Sequence, residues 1–250
     1  MDSSIIWLLI GPILEGCLVA LLVKRKAYRE FHFFFWFLIF SIAAEILRYT
    51  TQHHFTRKTY FWTYWSTAFL YDTFNLLVLY EVFRRTFREF YRRFSWFRLL
   101  FPGAVILALI PALLFHMAFR NPHELRGITL LFSFEIAVDL IELSLFAVFF
   151  LLVKFFALPW RNYAFGVVLG FALLSIGSWG AYWLRLEPSL SYRIFFRYIP
   201  AISYFCALLL WLAVFNRPEP DTSWALKVKP EELLQELREY GKILAAIRRR

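Results

Sequence analysis

Charged residues are scarce in this chain, and so are cysteines. Only 18% of its 250 residues are charged, whereas a soluble domain has about 25% charged residues. A soluble domain of this size cannot bury the 60% of its residues that are hydrophobic, because its surface must consist of polar and charged residues. Two cysteines exclude a disulfide-rich secreted scaffold, and 31 Phe with 10 Trp exclude disorder, collagen and a coiled coil. The composition therefore predicts an integral membrane protein.

Seven apolar stretches are long enough to cross a bilayer, which takes roughly 20 mostly apolar residues. The runs are continuous and lack the alternation of an outer-membrane barrel, so we expect helices and not strands. They leave no room for a soluble domain between them. The sequence predicts an all-α seven-transmembrane-helix bundle over 1–217, with spans at about 5–23, 31–50, 60–83, 96–118, 127–153, 162–184 and 193–216.

Lysine and arginine are distributed unevenly over the connections between these spans. The first, third and fifth connections and the segment after the last span carry 20 of them, against six on the opposite side. Cytoplasmic loops are enriched in basic residues, so we expect a multi-pass protein of the cell (inner) membrane with its N-terminus outside and its C-terminus in the cytoplasm. The net charge of +10 then favours anionic lipids on the cytoplasmic face, and no motif for nucleic acid occurs.

The third connection alternates basic and aromatic residues from position 84 to position 98, which suits a segment in the lipid headgroup layer. We interpret it as a helix extension with snorkelling arginines; the alternative is a specific site for a lipid or a partner. The arginines that we expect to face lipid are Arg84, Arg85, Arg88, Arg92 and Arg93.

The tail, 218–250, is predicted to lie in the cytoplasm and to contain an amphipathic helix at about 230–248. Pro230 suits the first turn of a helix, and acids come first and bases last, as the helix dipole favours. We expect this helix to dock on the membrane face or on the bundle; alternatively it binds a partner membrane protein. Its apolar stripe consists of Leu233, Leu237, Tyr240, Leu244 and Ile247.

Glycines concentrate in the sixth span, which holds four of the nine in the chain. Gly166, Gly170 and Gly177 lie on one helical face, and small residues at this spacing let helix backbones approach closely in lipid. The pattern predicts tight helix packing inside the bundle, with a dimer face as the alternative.

Charged side chains inside the predicted spans are few and mostly acidic. Charge is costly in a bilayer, so such residues usually face the bundle interior and mark function. We expect an acid-lined interior with an outward-opening pocket for a polar ligand or a cation. Its residues are Glu15, Glu45, Arg48, Asp72, Asn75, Glu135, Asp139, Glu142 and Arg197.

Three of these acids, Glu135, Asp139 and Glu142, are spaced by four and three residues and share one side of the fifth span. They cannot all ionise cheaply at low dielectric, so we expect at least one to hold a proton. The arrangement fits a structural hydrogen-bond network, a proton or cation site, or a polar ligand pocket.

The sequence lacks the residues that several kinds of cofactor binding and catalysis require. All five histidines fall at predicted membrane edges, so we predict neither a buried bis-histidine haem nor a metal site. No nucleotide-binding, zinc-protease or nucleophilic-serine motif occurs, which leaves catalysis unsupported. The size and topology resemble those of a microbial rhodopsin, but the seventh span has no lysine, which excludes a covalent retinal. We therefore predict no cofactor and no enzymatic activity.

Two short motifs at the ends of the third span carry a second resemblance. They read Tyr60-Phe61-Trp62-Thr63-Tyr64-Trp65 and Tyr80-Glu81-Val82-Phe83-Arg84-Arg85. In these two motifs the chain resembles a group of uncharacterised bacterial seven-helix integral membrane proteins. The resemblance implies the same fold and brings no activity with it.

Together these features predict a non-catalytic bundle that binds a ligand or cation, or acts as a sensor. One alternative is a proton- or cation-coupled transporter or channel that uses Asp72, Asp139 and Glu142. The other is an accessory or anchoring subunit of a larger membrane complex.

Overall fold

The computed structural model describes residues 3–93, 95–106, 110, 126–155, 163–185 and 190–218. Within these ranges every regular element is helical, which confirms the predicted all-α class. Side chains at 3–9, 126–137, 182–185 and 190–197, and those of Glu89, Arg93, Trp96 and Phe97, lie outside the description. Residues 107–109 and 111–118 of the predicted fourth span, and 219–250 of the predicted tail with its amphipathic helix, also lie outside it.

Seven helices whose bounds lie among the described residues are numbered here in chain order, and residues 100–106 are helical as well. The fourth of the numbered helices is much shorter than the others. Within the described part of the chain, three helices contain segments that are long and apolar enough to cross a membrane: His32–His54, Tyr163–Ala181 and Tyr198–Asn216. This is consistent with membrane association. Two 3₁₀ turns, Ala27–Arg29 and Ser95–Leu99, lie between the helices. The helices are α1 (Ser3–Lys24), α2 (His32–His54), α3 (Arg57–Thr86), α4 (Arg88–Arg93), α5 (Arg126–Phe155), α6 (Tyr163–Arg185) and α7 (Leu190–Asn216).

The N-terminus of α2 is capped by a residue of another helix. The first backbone N–H groups of a helix have no partner within it. Here the carboxylate of Glu81, on α3, accepts three of them, from His32 at 2.7 Å, Phe33 at 3.0 Å and Phe34 at 3.3 Å. A negative charge at this end also suits the helix dipole. Glu81 therefore fixes the start of α2 against the last turns of α3.

The C-terminus of α7 is capped in the complementary way, by donors from two other segments. Arg25 donates from Nη2 to the carbonyl oxygen of Asn216 at 2.6 Å. The hydroxyl of Tyr163 donates to the carbonyl oxygen of Arg217 at 2.7 Å. These bonds satisfy carbonyl groups that the end of a helix leaves without partners.

The core of the bundle is aromatic and lies where α2, α6 and α7 meet. Trp211 of α7 is fully buried, and its ring centroid lies 5.0 Å from that of Phe34 and 5.1 Å from that of Phe171. Phe37 packs edge-on against Phe171 at 5.1 Å. Edge-to-face pairs at these distances are favourable for aromatic rings. The indole N–H of Trp211 donates to the carbonyl oxygen of Val167 at 3.3 Å, so the polar atom of this buried ring has a partner.

The glycine face of α6 packs against α7 of the same chain. A Cβ at Gly166 would lie 2.6 Å from a methyl group of Val214. One at Gly170 would overlap the indole of Trp211, and one at Gly177 would overlap the side chain of Ser203. Each of these glycines thus makes room for a side chain of α7. This close approach explains why α6 and α7 form the most extensive helix–helix contact among the described residues.

Candidate functional site

A cavity of about 340 Å³ lies between α2, α3 and α7 and is called here the polar cavity. Its α2 residues lie at positions 41, 44, 45 and 48, which share one helical face. Three alanines among the lining residues leave the space that larger side chains would fill. The polar cavity is lined by Ser41, Ala44, Glu45, Arg48, Tyr64, Ala68, Tyr71, Asp72, Ala201 and Tyr204.

Arg48 is held in the wall of the polar cavity by α3. Its Nε donates to Thr67 Oγ1 at 2.7 Å, and its guanidinium lies 4.6 Å from the ring centroid of Tyr64. The Thr67 hydroxyl donates in turn to backbone carbonyl groups of its own helix, so its remaining lone pair can accept from Arg48. Arg48 forms no direct ion pair with Glu45 in the part of the chain that the structure describes. The carboxylate of Glu45 stays available at the cavity.

A chain of hydrogen bonds connects the polar cavity to Glu15 on α1. The hydroxyl of Tyr204 donates to Glu15 Oε1, and Ser41 lies 2.6 Å from the Tyr71 hydroxyl and 3.3 Å from that of Tyr204. Glu15 is fully buried, and its Oε2 has no hydrogen-bond partner among the described residues. Four polar side chains from α1, α2, α3 and α7 thus form one network beside the cavity.

A second buried carboxyl group, that of Glu142, lies in a different part of the bundle. Ser175 of α6 donates to its Oε2 at 2.7 Å, and the Asn75 side chain of α3 lies beside it. Asp139 is partly buried and is not among the residues that line the polar cavity. The buried and cavity-lining acids therefore lie in two places in the bundle. Glu15, Glu45 and Asp72 lie at or beside the polar cavity, and Glu142 lies between α3, α5 and α6.

Glu135 and Arg197 belong to α5 and α7, but their side chains lie outside the described part of the structure, as does that of Arg93. Sequence reasoning missed the hydroxyl groups of the site. Hydroxyl side chains within an apolar span are hard to recognise as site residues, because they carry no charge at neutral pH. A usable signal was present in the tyrosines, since a buried tyrosine hydroxyl usually needs a hydrogen-bond partner. The missed residues are Ser41, Tyr64, Tyr71, Ser175 and Tyr204.

Arginines line a larger cavity of about 1,100 Å³ at the other end of α3, called here the basic cleft. Four of the five predicted lipid-facing arginines line it. Burial raises the pKa of Tyr91, at its edge, to about 12, so this hydroxyl is neutral at physiological pH. The basic cleft is lined by Arg29, Glu30, Phe33, Tyr80, Glu81, Arg84, Arg85, Arg88, Tyr91, Arg92 and Arg98.

A third cavity, between α2 and α3, is mostly apolar. Its lining includes Leu47, Trp62 and Leu70, all of them exposed, and a single charged residue, Lys58. Exposed apolar side chains of this kind suit contact with lipid. In the described residues no three His, Cys, Asp or Glu side chains come together as metal ligands do. The polar cavity and the basic cleft are therefore the candidate sites.

The chain matches no protein-family model, no curated protein and no solved structure.

Proposed function

We propose that the protein is a non-catalytic seven-helix integral membrane protein that binds a small ligand with a protonated amino group in the polar cavity. In this proposal the N-terminus faces outside and the C-terminus the cytoplasm of a cell (inner) membrane. Arg48 and Tyr64 lie about two helical turns from the α2–α3 turn, which the basic-residue count assigns to the outer side. The polar cavity would then admit its ligand from outside.

The charge of the cavity lining is the observation that carries this proposal. Glu45 and Asp72 supply two carboxyl groups, and Arg48 is the only base among the described lining residues. A carboxylate in a low-dielectric site is costly unless it has a partner of opposite charge. One bound ammonium group would give the carboxylate of Glu45 such a partner. It would also supply N–H donors to Glu45 or Asp72, and such charge-assisted hydrogen bonds are stronger than neutral ones.

The aromatic side chains and the size of the polar cavity support the same class of ligand. Tyr71 and Tyr204 line the cavity, and cations are attracted to aromatic faces. The cavity volume of about 340 Å³ is near the lower end of the range for small-molecule sites. These features favour a compact amine.

Removal of one carboxylate at a time tests the proposal. The full chain is purified in a nonionic detergent and titrated with phenethylamine, and binding is measured by isothermal titration calorimetry. We expect Glu45→Gln to weaken binding about tenfold or more, because a hydrogen bond to a charged group contributes about 1.5–3 kcal/mol. Asp72→Asn should have the same effect.

The matched control is Glu30→Gln, which removes an acid that is half exposed and lies in the basic cleft, away from the polar cavity. It should leave the affinity for phenethylamine unchanged. Equal loss in Glu30→Gln and Glu45→Gln would mean that the amine responds to net charge alone. No binding by the unaltered protein would contradict the amine assignment directly.

The hydrogen-bond chain favours a second candidate function, proton-coupled transport. Hydroxyl groups of Tyr204, Ser41 and Tyr71 connect the buried carboxyl group of Glu15 to the polar cavity, and such a chain can pass a proton. If the protein is a transporter, addition of the amine to liposomes that contain the protein should cause proton uptake. The pH gradient across the liposome membrane should then decrease. Glu15→Gln should abolish that uptake, whereas a binding protein without transport should give only the background leak in both forms.

A further inference from the structure

The basic cleft collects arginines from segments that are far apart in the sequence. Arg29 comes from the 3₁₀ turn after α1, and Arg98 comes from the second 3₁₀ turn. The end of α3 and the short helix α4 provide four others, Arg84, Arg85, Arg88 and Arg92. The fold therefore brings six guanidinium groups to one concave surface, which a basic run in the sequence does not by itself do.

The two acids in the basic cleft are already engaged. Glu30 forms an ion pair with Arg85, whose guanidinium also lies 4.2 Å from the ring centroid of Phe31. Both oxygens of Glu81 accept backbone N–H groups at the start of α2. With six arginines against two engaged carboxylates, the cleft keeps a large excess of positive charge.

The other arginines of the basic cleft are exposed and have no ion-pair partner in the described part of the chain. This holds for Arg29, Arg84, Arg88, Arg92 and Arg98. A guanidinium presents its N–H donors in a planar fork that matches the oxygens of a phosphate group. Like charges gathered in one cleft repel each other unless an anion lies between them. The arrangement thus favours a bound anion of more than one charge.

The position of the basic cleft indicates the kind of molecule that carries this anion. α2 begins at the cleft and is one of the helices long and apolar enough to cross a membrane. Phe33, in its first turn, lines the cleft and is exposed. An anion bound there would therefore lie at the membrane surface, with an apolar side chain beside it.

We propose that the basic cleft binds the phosphate headgroup of an anionic lipid and prefers a phosphomonoester to a phosphodiester. A phosphomonoester carries about −1.5 to −2 charges at neutral pH and offers three free oxygens to the guanidinium groups. A diester headgroup carries one charge and two free oxygens. Simple attraction of a basic surface to anionic lipid depends on headgroup charge and not on the number of free phosphate oxygens.

The test compares two lipids with the same acyl chains. Dioleoyl phosphatidic acid is the phosphomonoester, and dioleoyl phosphatidylglycerol is the diester. Each is titrated into the full chain in nonionic detergent, and bound lipid is counted by native mass spectrometry. We expect phosphatidic acid to bind at least about tenfold more tightly. Glycerol 3-phosphate, which has the same headgroup without acyl chains, should bind more weakly than the lipid.

Paired substitutions then locate the site. Arg84→Gln with Arg88→Gln should weaken binding of phosphatidic acid at least about tenfold, and Arg88→Gln with Arg92→Gln is a second pair in case the first does not fold. The control, Arg57→Gln with Lys58→Gln, removes two positive charges from the opposite end of α3 and should change the affinity less than about twofold. Equal affinity for the two lipids would overturn the proposal, and so would equal losses in the cleft and control pairs. Binding of glycerol 3-phosphate as tight as that of phosphatidic acid would overturn the assignment to a lipid.

Discussion

Trp211 packs its indole ring against Gly170, in the space that the Cβ of any other residue would occupy. The same ring contacts Phe34 and Phe171. The absence of a side chain at Gly170 therefore allows α7 to pack into the aromatic core. The contact lies within one chain. Small residues in membrane helices are used in this way because close backbone approach improves van der Waals packing in lipid.

Substitution of Gly170 should therefore destabilise the bundle. In Gly170→Ala the added methyl group overlaps the indole, and overpacking of a core costs about 1–3 kcal/mol. Thermal unfolding in detergent, followed by tryptophan fluorescence, should show a lower midpoint. Gly180→Ala is the matched control on the same helix, because none of the described side chains from other helices lies within 4 Å of the added Cβ. An unchanged midpoint in Gly170→Ala would contradict the close packing of α6 and α7.

Glu81 provides a second stability prediction. Glu81→Ala leaves three N–H groups at the start of α2 without their acceptor, and loss of a helix cap costs about 0.5–2 kcal/mol. Glu81→Gln keeps one acceptor oxygen and should retain part of the stability. Hydrogen exchange of the first turn of α2 measures the effect locally and should be faster in Glu81→Ala. If exchange is unchanged, Glu81 does not cap this helix.

Tyr204 provides a third stability prediction. Tyr204→Phe removes the hydroxyl that donates to Glu15, and a buried acceptor left without a donor costs about 1–3 kcal/mol. Denaturant unfolding in detergent should show this loss. Tyr198→Phe, one and a half turns earlier on α7, removes an exposed hydroxyl and should have no measurable effect. Equal stabilities of the two variants would mean that the network around Glu15 contributes nothing to stability.

The proposed topology predicts which residues can be labelled from outside the cell. In a variant without Cys17 and Cys206, a cysteine in place of Ser3 should react with a membrane-impermeant maleimide on intact cells. A cysteine in place of Ser223, in the tail, should react only after the cells are opened. Labelling of the tail in intact cells would reverse the orientation and would place the polar cavity toward the cytoplasm.

The all-α class could be predicted from the sequence, because long continuous apolar runs without alternation are a strong signal for helices. The charged members of the polar cavity, Glu45, Arg48 and Asp72, could be identified because charge within an apolar run is rare. The hydroxyl side chains of the polar cavity could not be identified in this way. Tyr204 lies 189 positions from Glu15, and only the packing of α7 beside α1 and α2 brings the two together.

The helical spacing of acids was informative about their face but not about their neighbours. Asp139 and Glu142 are three residues apart, yet Ser175 of α6 defines the surroundings of Glu142, and spacing within α5 does not indicate that contact. Glu81 is a similar case. It lies within a short motif in the sequence, and its role as a cap depends on how α2 begins beside α3. Local patterns thus predicted elements and faces, whereas partners on other helices required the three-dimensional structure.

Recognition of an ammonium group by the polar cavity can be measured by a comparison of two ligands. Phenethylamine and 2-phenylethanol have the same carbon skeleton and differ in carrying an ammonium or a hydroxyl group. Titration calorimetry with the unaltered full chain at pH 7 should show binding of the amine at least about tenfold tighter than that of the alcohol. Equal affinities, or tighter binding of the alcohol, would contradict the claim.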